Sequence, residues 1–203
     1  MSARRKSTRR TTTGVALLGC LLAGSAQEAQ AATAQNPLSR SHRGVSKETW
    51  LKDVQTVADE ARPWVERRLA DVPPGQHPAI VLDIDNTALA THFDPGAPVE
   101  AILAIARYAE THHAAVLFAS YRHQDAHDKT VADLKNAGYP VDGLCLRPDG
   151  SSAGKAEVKR NCRIGYEKKG FTLTANIGNR DTDLQGGHDE KGFKLPDYDG
   201  WLS

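Results

Sequence analysis

From Ser46 to Asp71 the apolar residues Trp50, Leu51, Val54, Val57, Ala58, Val65 and Leu69 recur at helical spacing. Pro63 interrupts that run, so the pattern predicts two helices or one kinked helix. After the loop "DVPPGQHP" the period changes. "AIVLDIDNTALATHF", Ala79 to Phe93, begins as a buried strand and ends in two aspartates. An amphipathic helix follows over 98–113, then a short apolar strand over 114–120. A helix over 124–138 ends at a glycine, where a C-cap is expected, and "VDGLCLR" is strand-like. A further helix over 155–170 also ends at a glycine and leads into the strand "FTLTANIG" over 171–178. Aliphatic and β-branched strands alternating with helices imply βαβ crossovers. The expected fold is α/β, a Rossmann-like parallel sheet flanked by helices.

Residues 32–45 are polar and without period, which predicts a flexible leader. The 203-residue chain suits one domain over 46–203, with residues 46–71 as its N-terminal helical segment. No internal repeat or low-complexity tract is evident.

Charge changes the picture at the N-terminus. The formal net charge is +1, but Arg4, Arg5, Lys6, Arg9 and Arg10 stand against Glu28 alone in the first 31 residues. The remainder is mildly acidic and has no basic stripe of the kind that neutralises nucleic-acid phosphates. "SARRKSTRR", the apolar "GVALLGCLLAGSA" and "AQA" at 29–31 read together as a signal peptide over 1–31, hence a secreted protein with no stable membrane insertion after cleavage. "LLGC" at Cys20 leaves a lipoprotein as the alternative, and "TRRTTTG" leaves the export route open between Sec and Tat. Cys145 and Cys162 remain after cleavage. In an exported chain they suit a disulfide or two buried small side chains equally.

In parallel sheets ligands bind at the carboxyl ends of the strands. Those ends read "DIDNT", "ASYR" and "NIGNRDTD", and a lysine lies near the start of the helix "EVKRNCR". On a strand, Asp83 and Asp85 point the same way, and their repulsion is relieved by a hard cation between the strand ends. The set reads as a phosphate site with a metal. Asp83 serves as nucleophile or metal ligand, Asp85 as proton carrier, Thr87 and Ser120 as phosphoryl hydrogen-bond donors, and the lysine as a fixed positive charge.

These motifs resemble the haloacid dehalogenase (HAD) superfamily. Within it, they resemble the secreted acid phosphatases with a four-aspartate signature, the class B-like subfamily IIIB. "DIDNT" matches that family's Asp-x-Asp-x-Thr residue by residue. "VLFASYR" matches its second motif, with Tyr121 in place of a usual glycine and Arg122 kept. Lys159, together with Arg163 and the "GF" of "KKGF", fits the branch's third-motif spacing, whereas Lys155 needs one extra helical turn. Gly178-Asn179-Arg180-Asp181-Thr182-Asp183 stands where Gly-Asp-x-x-x-Asp is usual.

The resemblance implies a phospho-aspartyl intermediate on Asp83, Asp85 as general acid and base, and Lys159 as the catalytic cation. It implies substrate contacts from Thr87, Ser120 and Arg122, and Mg²⁺ held by Asp83, Asp85, Asn179 and Asp183. Asn179 removes one negative charge from that metal site, and Asp181 on the same loop is near enough to compensate. About 30 residues separate Thr87 from Ser120, too few for a large cap domain, so an open site is expected. His92, Phe93 and Tyr121 are expected at its rim. Small phosphomonoesters, or phosphate groups on larger molecules, are the implied substrates. Two alternatives remain. One is a non-catalytic phosphate-binding or storage-type relative, which Asn179 favours. The other is a phosphotransferase or nucleotidase of the same superfamily.

Overall fold

A computed structural model describes residues 44–202 of the chain; the expected signal peptide and the leader up to residue 43 lie outside the described residues. Helix α1 (Lys47–Ala70) leads into β1 (His77–Leu82), α2 (Glu100–Thr111), β2 (Ala115–His123) and, after a short 3₁₀ turn, α3 (His127–Asn136). Then come β3 (Gly143–Arg147), α4 (Lys155–Lys168), β4 (Phe171–Gly178), α5 (Asp181–Leu184) and β5 (Gly192–Lys194). The five strands form one sheet in the order β3-β2-β1-β4-β5, and every neighbouring pair is parallel. β1, which delivers the paired aspartates, is therefore the central strand.

Strand parity decides which helix each residue meets. Ile80 and Leu82 of β1, Val116 and Phe118 of β2, and Ala175 and Ile177 of β4 pack in one cluster with the apolar stripes of α1 and α2. Ala79 and Val81, with Leu117, Ala119 and Leu173, pack on Val158, Cys162 and Tyr166 of α4. Both faces are thus covered, which explains why these strands read as continuous apolar runs. Asp83 continues the odd series of Ala79 and Val81, so the chain leaves β1 with this carboxylate directed to the side of α4.

α1 is a single helix through Pro63. The proline lies on the exposed side of the helix, where the carbonyl freed by the missing N–H faces water. The stripe Trp50, Val54, Ala58, Ala61, Val65 and Leu69 is buried against the sheet and α2 and keeps the helix whole. The ladder between β1 and β4 shifts register at Ala79/Ile80, which leaves Thr174 as the extra residue. Its carbonyl accepts a 2.9 Å hydrogen bond from Trp64 Nε1, and its hydroxyl donates to the Ala79 carbonyl at 3.0 Å. Trp64 is therefore more than packing, since it satisfies the bulge. β5 is only three residues long and has no alternating pattern for the sequence to reveal.

Between β1 and β2 lie a turn, a short flap and α2; between β2 and α4 lie α3, β3 and loops. Among the described residues neither connection holds a cap domain. Cys145 on β3 and Cys162 on α4 form a disulfide, with Cα atoms 5.7 Å apart. The cross-link closes a loop of 17 residues' separation. A Cys145→Ser/Cys162→Ser variant is expected to lose about 3 kcal/mol of unfolding free energy, measured by urea denaturation under non-reducing conditions.

Candidate active site

β1 stops at Leu82, and residues 83–89 form a tight turn. The Ala88 and Leu89 amides donate back to the Asp83 and Ile84 carbonyls, and the Asn86 amide donates to Leu89. Asn86 takes a left-handed backbone (φ 57°), a conformation that asparagine tolerates better than most residues. The sequence reading put Asp83 and Asp85 on one face by strand alternation. Here the strand has already ended, and it is this turn that brings both carboxylates to one pocket of about 560 Å³. Ser120, Arg122, Lys159 and Asn179 line the same pocket. Thr87 and Asp183 are buried behind it.

On the pocket floor Lys159 reaches from the second turn of α4 to donate to Asp83 Oδ1 and Asp183 Oδ1, each at 2.5 Å. All three side chains are under a tenth exposed. Thr87 Oγ1 donates to the other Asp83 oxygen at 3.2 Å, and the Arg180 amide donates to Asp183 Oδ2 at 2.8 Å. Burial works against the charge of Lys159, but the two carboxylates hold it protonated, above the usual lysine range. One ammonium cannot neutralise two carboxylates. Burial, only partly opposed by Lys159, pushes Asp83 up to about 6. The other candidate, Lys155, stands at the pocket wall with its Nζ 5.9 Å from the Tyr121 ring, away from the floor.

Asp85 has a different environment. Arg122 grips it through Nη2 to Oδ1 (2.6 Å) and Nε to Oδ2 (3.1 Å), and Thr91 donates to Oδ1 at 2.8 Å. Burial opposes ionisation, but the hydrogen bonds and charge of Arg122 outweigh it and hold the carboxyl below its usual range. Arg122, expected at the substrate, is thus also the partner of Asp85. It leans on Thr130 and Asp133 behind. Ser120 is buried at the end of the apolar run, and its hydroxyl accepts from the Arg122 amide at 3.2 Å. His92 and Tyr121 line the pocket as expected. Phe93 does not, because its ring turns inward and stacks on buried Trp50 at 5.1 Å.

The fourth motif is built around close approach. A Cβ on Gly178 would lie 2.3 Å from the Cβ of Asp183, so only glycine lets that carboxylate fold back over the strand end. Asn179 is buried at the pocket. Asp181 does not compensate for it: its side chain is 82% exposed and faces Lys194 at 3.8 Å. As the first residue of α5 it points away from the site. The sequence reading left Arg163 without a role. Its guanidinium, fully buried, donates to the carbonyls of Asp183, Gln185 and Gly187 at 2.6, 2.5 and 2.8 Å, and Asn176 Nδ2 donates to the Asp183 carbonyl at 2.9 Å. α4 therefore supplies both the ammonium that meets Asp183 and the clamp that fixes its backbone.

The donor set suits a hard divalent cation. Asp83, Asp183 and Asn179 offer only oxygen donors, and the Asn179 oxygen accepts no hydrogen bond among the described residues. A separate exposed group, His123, Asp125 and Asp149, brings its ligand atoms within 4.8 Å of one another, but the Arg147 guanidinium lies against His123.

A central parallel strand ending in a paired-carboxylate turn, with a lysine across from it, is the arrangement that the HAD resemblance implies for a phosphate site. Residues 95–201, slightly more than half of the chain, match the model of a family described as HAD superfamily, subfamily IIIB (acid phosphatase). The chain belongs to this family and is a phosphomonoester hydrolase by class. The matched span begins after the "DIDNT" turn, so the place of Asp83 and Asp85 rests on the geometry above. No curated protein matches the chain. Among solved structures, the class C acid phosphatase from Bacillus anthracis superposes with TM-score 0.58 at 16% identity, covering 74% of this chain and 79% of that one. The tungstate-bound form of the Bacillus anthracis class C acid phosphatase gives TM-score 0.55 at 15% identity over the same shares. At that identity the likeness is one of fold.

Arg163→Met takes a fully buried guanidinium from the carbonyls of Gln185 and Gly187 and leaves that of Asp183 to Asn176 alone. It is expected to lower the unfolding free energy by about 3 kcal/mol or more, read from urea denaturation.

Proposed function

We propose that this protein is an exported, Mg²⁺-dependent acid phosphatase that hydrolyses phosphomonoesters through a phospho-aspartyl intermediate on Asp83. The observation that carries the reading is the pocket floor, where Asp83 and Asp183 share the Lys159 ammonium while Asp85 stands apart on Arg122. Asp83, the backbone carbonyl of Asp85, Asn179 and Asp183 are the groups that would hold Mg²⁺. When bound, the ion offsets charge on the phosphoryl oxygens and on Asp83.

An Asp83 oxygen attacks phosphorus in line as the ester P–O bond breaks, and the leaving oxygen takes the proton of Asp85. Asp85, now a carboxylate, removes a proton from water. That water's oxygen attacks phosphorus, the acyl-phosphate bond breaks, and inorganic phosphate and free Asp83 result. Lys159 keeps Asp83 oriented and offsets charge on the transferring group. The pairing of Arg122 with Asp85 fits this sequence: an incoming phosphoryl dianion competes for the guanidinium, and an Asp85 carboxylate so released protonates more readily.

The uncapped pocket suits small phosphomonoesters and phosphate groups on larger molecules. Two points support export. The N-terminal segment reads as a signal peptide, and the Cys145–Cys162 disulfide belongs to an oxidising compartment. No helix among the described residues is long and apolar enough to cross a membrane.

Hydrolysis of an aryl phosphate by the chain from Ala32 onward tests the reading. Turnover is expected to disappear with chelator, return with Mg²⁺, and fall on the order of 10⁴-fold in Asp83→Asn. A folded protein without turnover at millimolar Mg²⁺ would instead favour the phosphate-binding or storage-type reading that Asn179 suggests.

A further inference from the structure

After β5 the chain turns through three consecutive left-handed residues, Tyr198, Asp199 and Gly200, at φ 50°, 55° and 86°. This turn folds Trp201 and Leu202 back to the pocket. The Leu202 amide donates to the Asp197 carbonyl at 3.2 Å, and its side chain is buried in the same core cluster as α1 and α2. Trp201 packs its ring on His92 at 4.5 Å, and Asp197 pairs with Lys194 at 3.3 Å and Arg180 at 3.7 Å. The Leu202 carbonyl then stands between the first and fourth motifs. Asn86 Nδ2 donates to it at 2.8 Å, and the orientation of that amide is fixed because its oxygen accepts from the His92 amide at 2.8 Å. Asn179 Nδ2 faces the same carbonyl at 3.5 Å, the outer limit of a hydrogen bond. Both asparagines are almost fully buried.

We infer that the Leu202 carbonyl is a positioning group for Asn179, holding its amide nitrogen so that the side-chain oxygen is left for the metal, and that Asn179 is matched to this tail. The reading of Asn179 as a metal ligand under the proposed function is assumed. An amide has one donor end and one acceptor end, and the site uses both. An aspartate at 179 would set a carboxylate oxygen against the Leu202 carbonyl, two buried acceptors facing each other with no proton between them. Restoring the family's usual aspartate therefore conflicts with the tail, even as it adds a charge for the metal. Asn86, in a left-handed turn position of the first motif, fixes the carbonyl that Asn179 uses. The tail thus ties two motifs separated by most of the domain.

The test is a cycle of four proteins: the native chain, Asn179→Asp, a chain ending at Gly200, and the two changes combined. Mg²⁺ affinity is measured by calorimetry without phosphate, and hydrogen exchange of the Leu202 amide is followed in the two full-length forms. In the full chain, Asn179→Asp is expected to change Mg²⁺ affinity by less than about threefold; in the shortened chain the same change should tighten it about tenfold or more. Exchange at Leu202 should accelerate about tenfold in full-length Asn179→Asp, as the tail opens locally. If the effect of Asn179→Asp differs by less than about threefold between the two backgrounds, the inference is overturned while the metal site stands. If no form binds Mg²⁺, the metal reading falls and the inference with it. Should the shortened chain fail to fold, exchange at Leu202 decides alone, and an unchanged rate overturns the inference.

Discussion

One buried ammonium organises the site. Lys159 sits between Asp83, in the turn after the central strand, and Asp183, in α5 after β4. Removing it would leave two uncompensated carboxylates in a buried floor, and breaking such a pair costs about 3–5 kcal/mol. The rest of the architecture serves that contact. Odd residues of β1 pack on Val158 and Cys162 of α4, which sets the helix at the right depth for Lys159 to reach across. The disulfide ties the same helix to β3, and Arg163 on its next turn holds the backbone of Asp183. Glycine at 178 then lets Asp183 fold back over the strand end.

The site separates two carboxylates chemically although only one residue lies between them. Asp83 is buried with half a share of one ammonium, and its affinity for protons rises. Asp85 is partly exposed on a guanidinium, and its affinity falls. A nucleophile needs the lower proton affinity and a proton carrier the higher, so under the proposed function a cation at Asp83 and a phosphoryl group at Arg122 would have to reverse these shifts. Each is held by a side chain that, under the proposed function, a bound phosphoryl group would engage, so substrate binding would also rearrange partners.

Much of the fold was legible because periodicity is a local property. β4 matches its predicted bounds, 171–178, and the helices fall within a few residues of theirs. Three motifs at strand ends and one in α4 carry Asp83, Asp85, Ser120, Lys159 and Asn179, which line one pocket. What stayed hidden depends on contacts across the chain. No local pattern announces that Thr174 is a bulge residue satisfied by Trp64, or that Phe93 prefers Trp50 to the pocket rim. Asp181 was misjudged because loop proximity does not fix side-chain direction: as the first residue of a helical turn it points to water. β5 is too short to have a period. The Leu202 carbonyl was invisible for another reason, since a backbone group has no sequence identity.

The central claim is that Asp83 is the group that takes the phosphoryl. The most direct measurement is mass spectrometry of the protein quenched in acid during turnover of an aryl phosphate, with the peptide that contains Asp83 isolated and treated with hydroxylamine. The expected result is one phosphoryl group on Asp83, lost on that treatment as an acyl phosphate is. Sustained turnover with no phosphoryl on the protein, or with it on another residue, would contradict the claim.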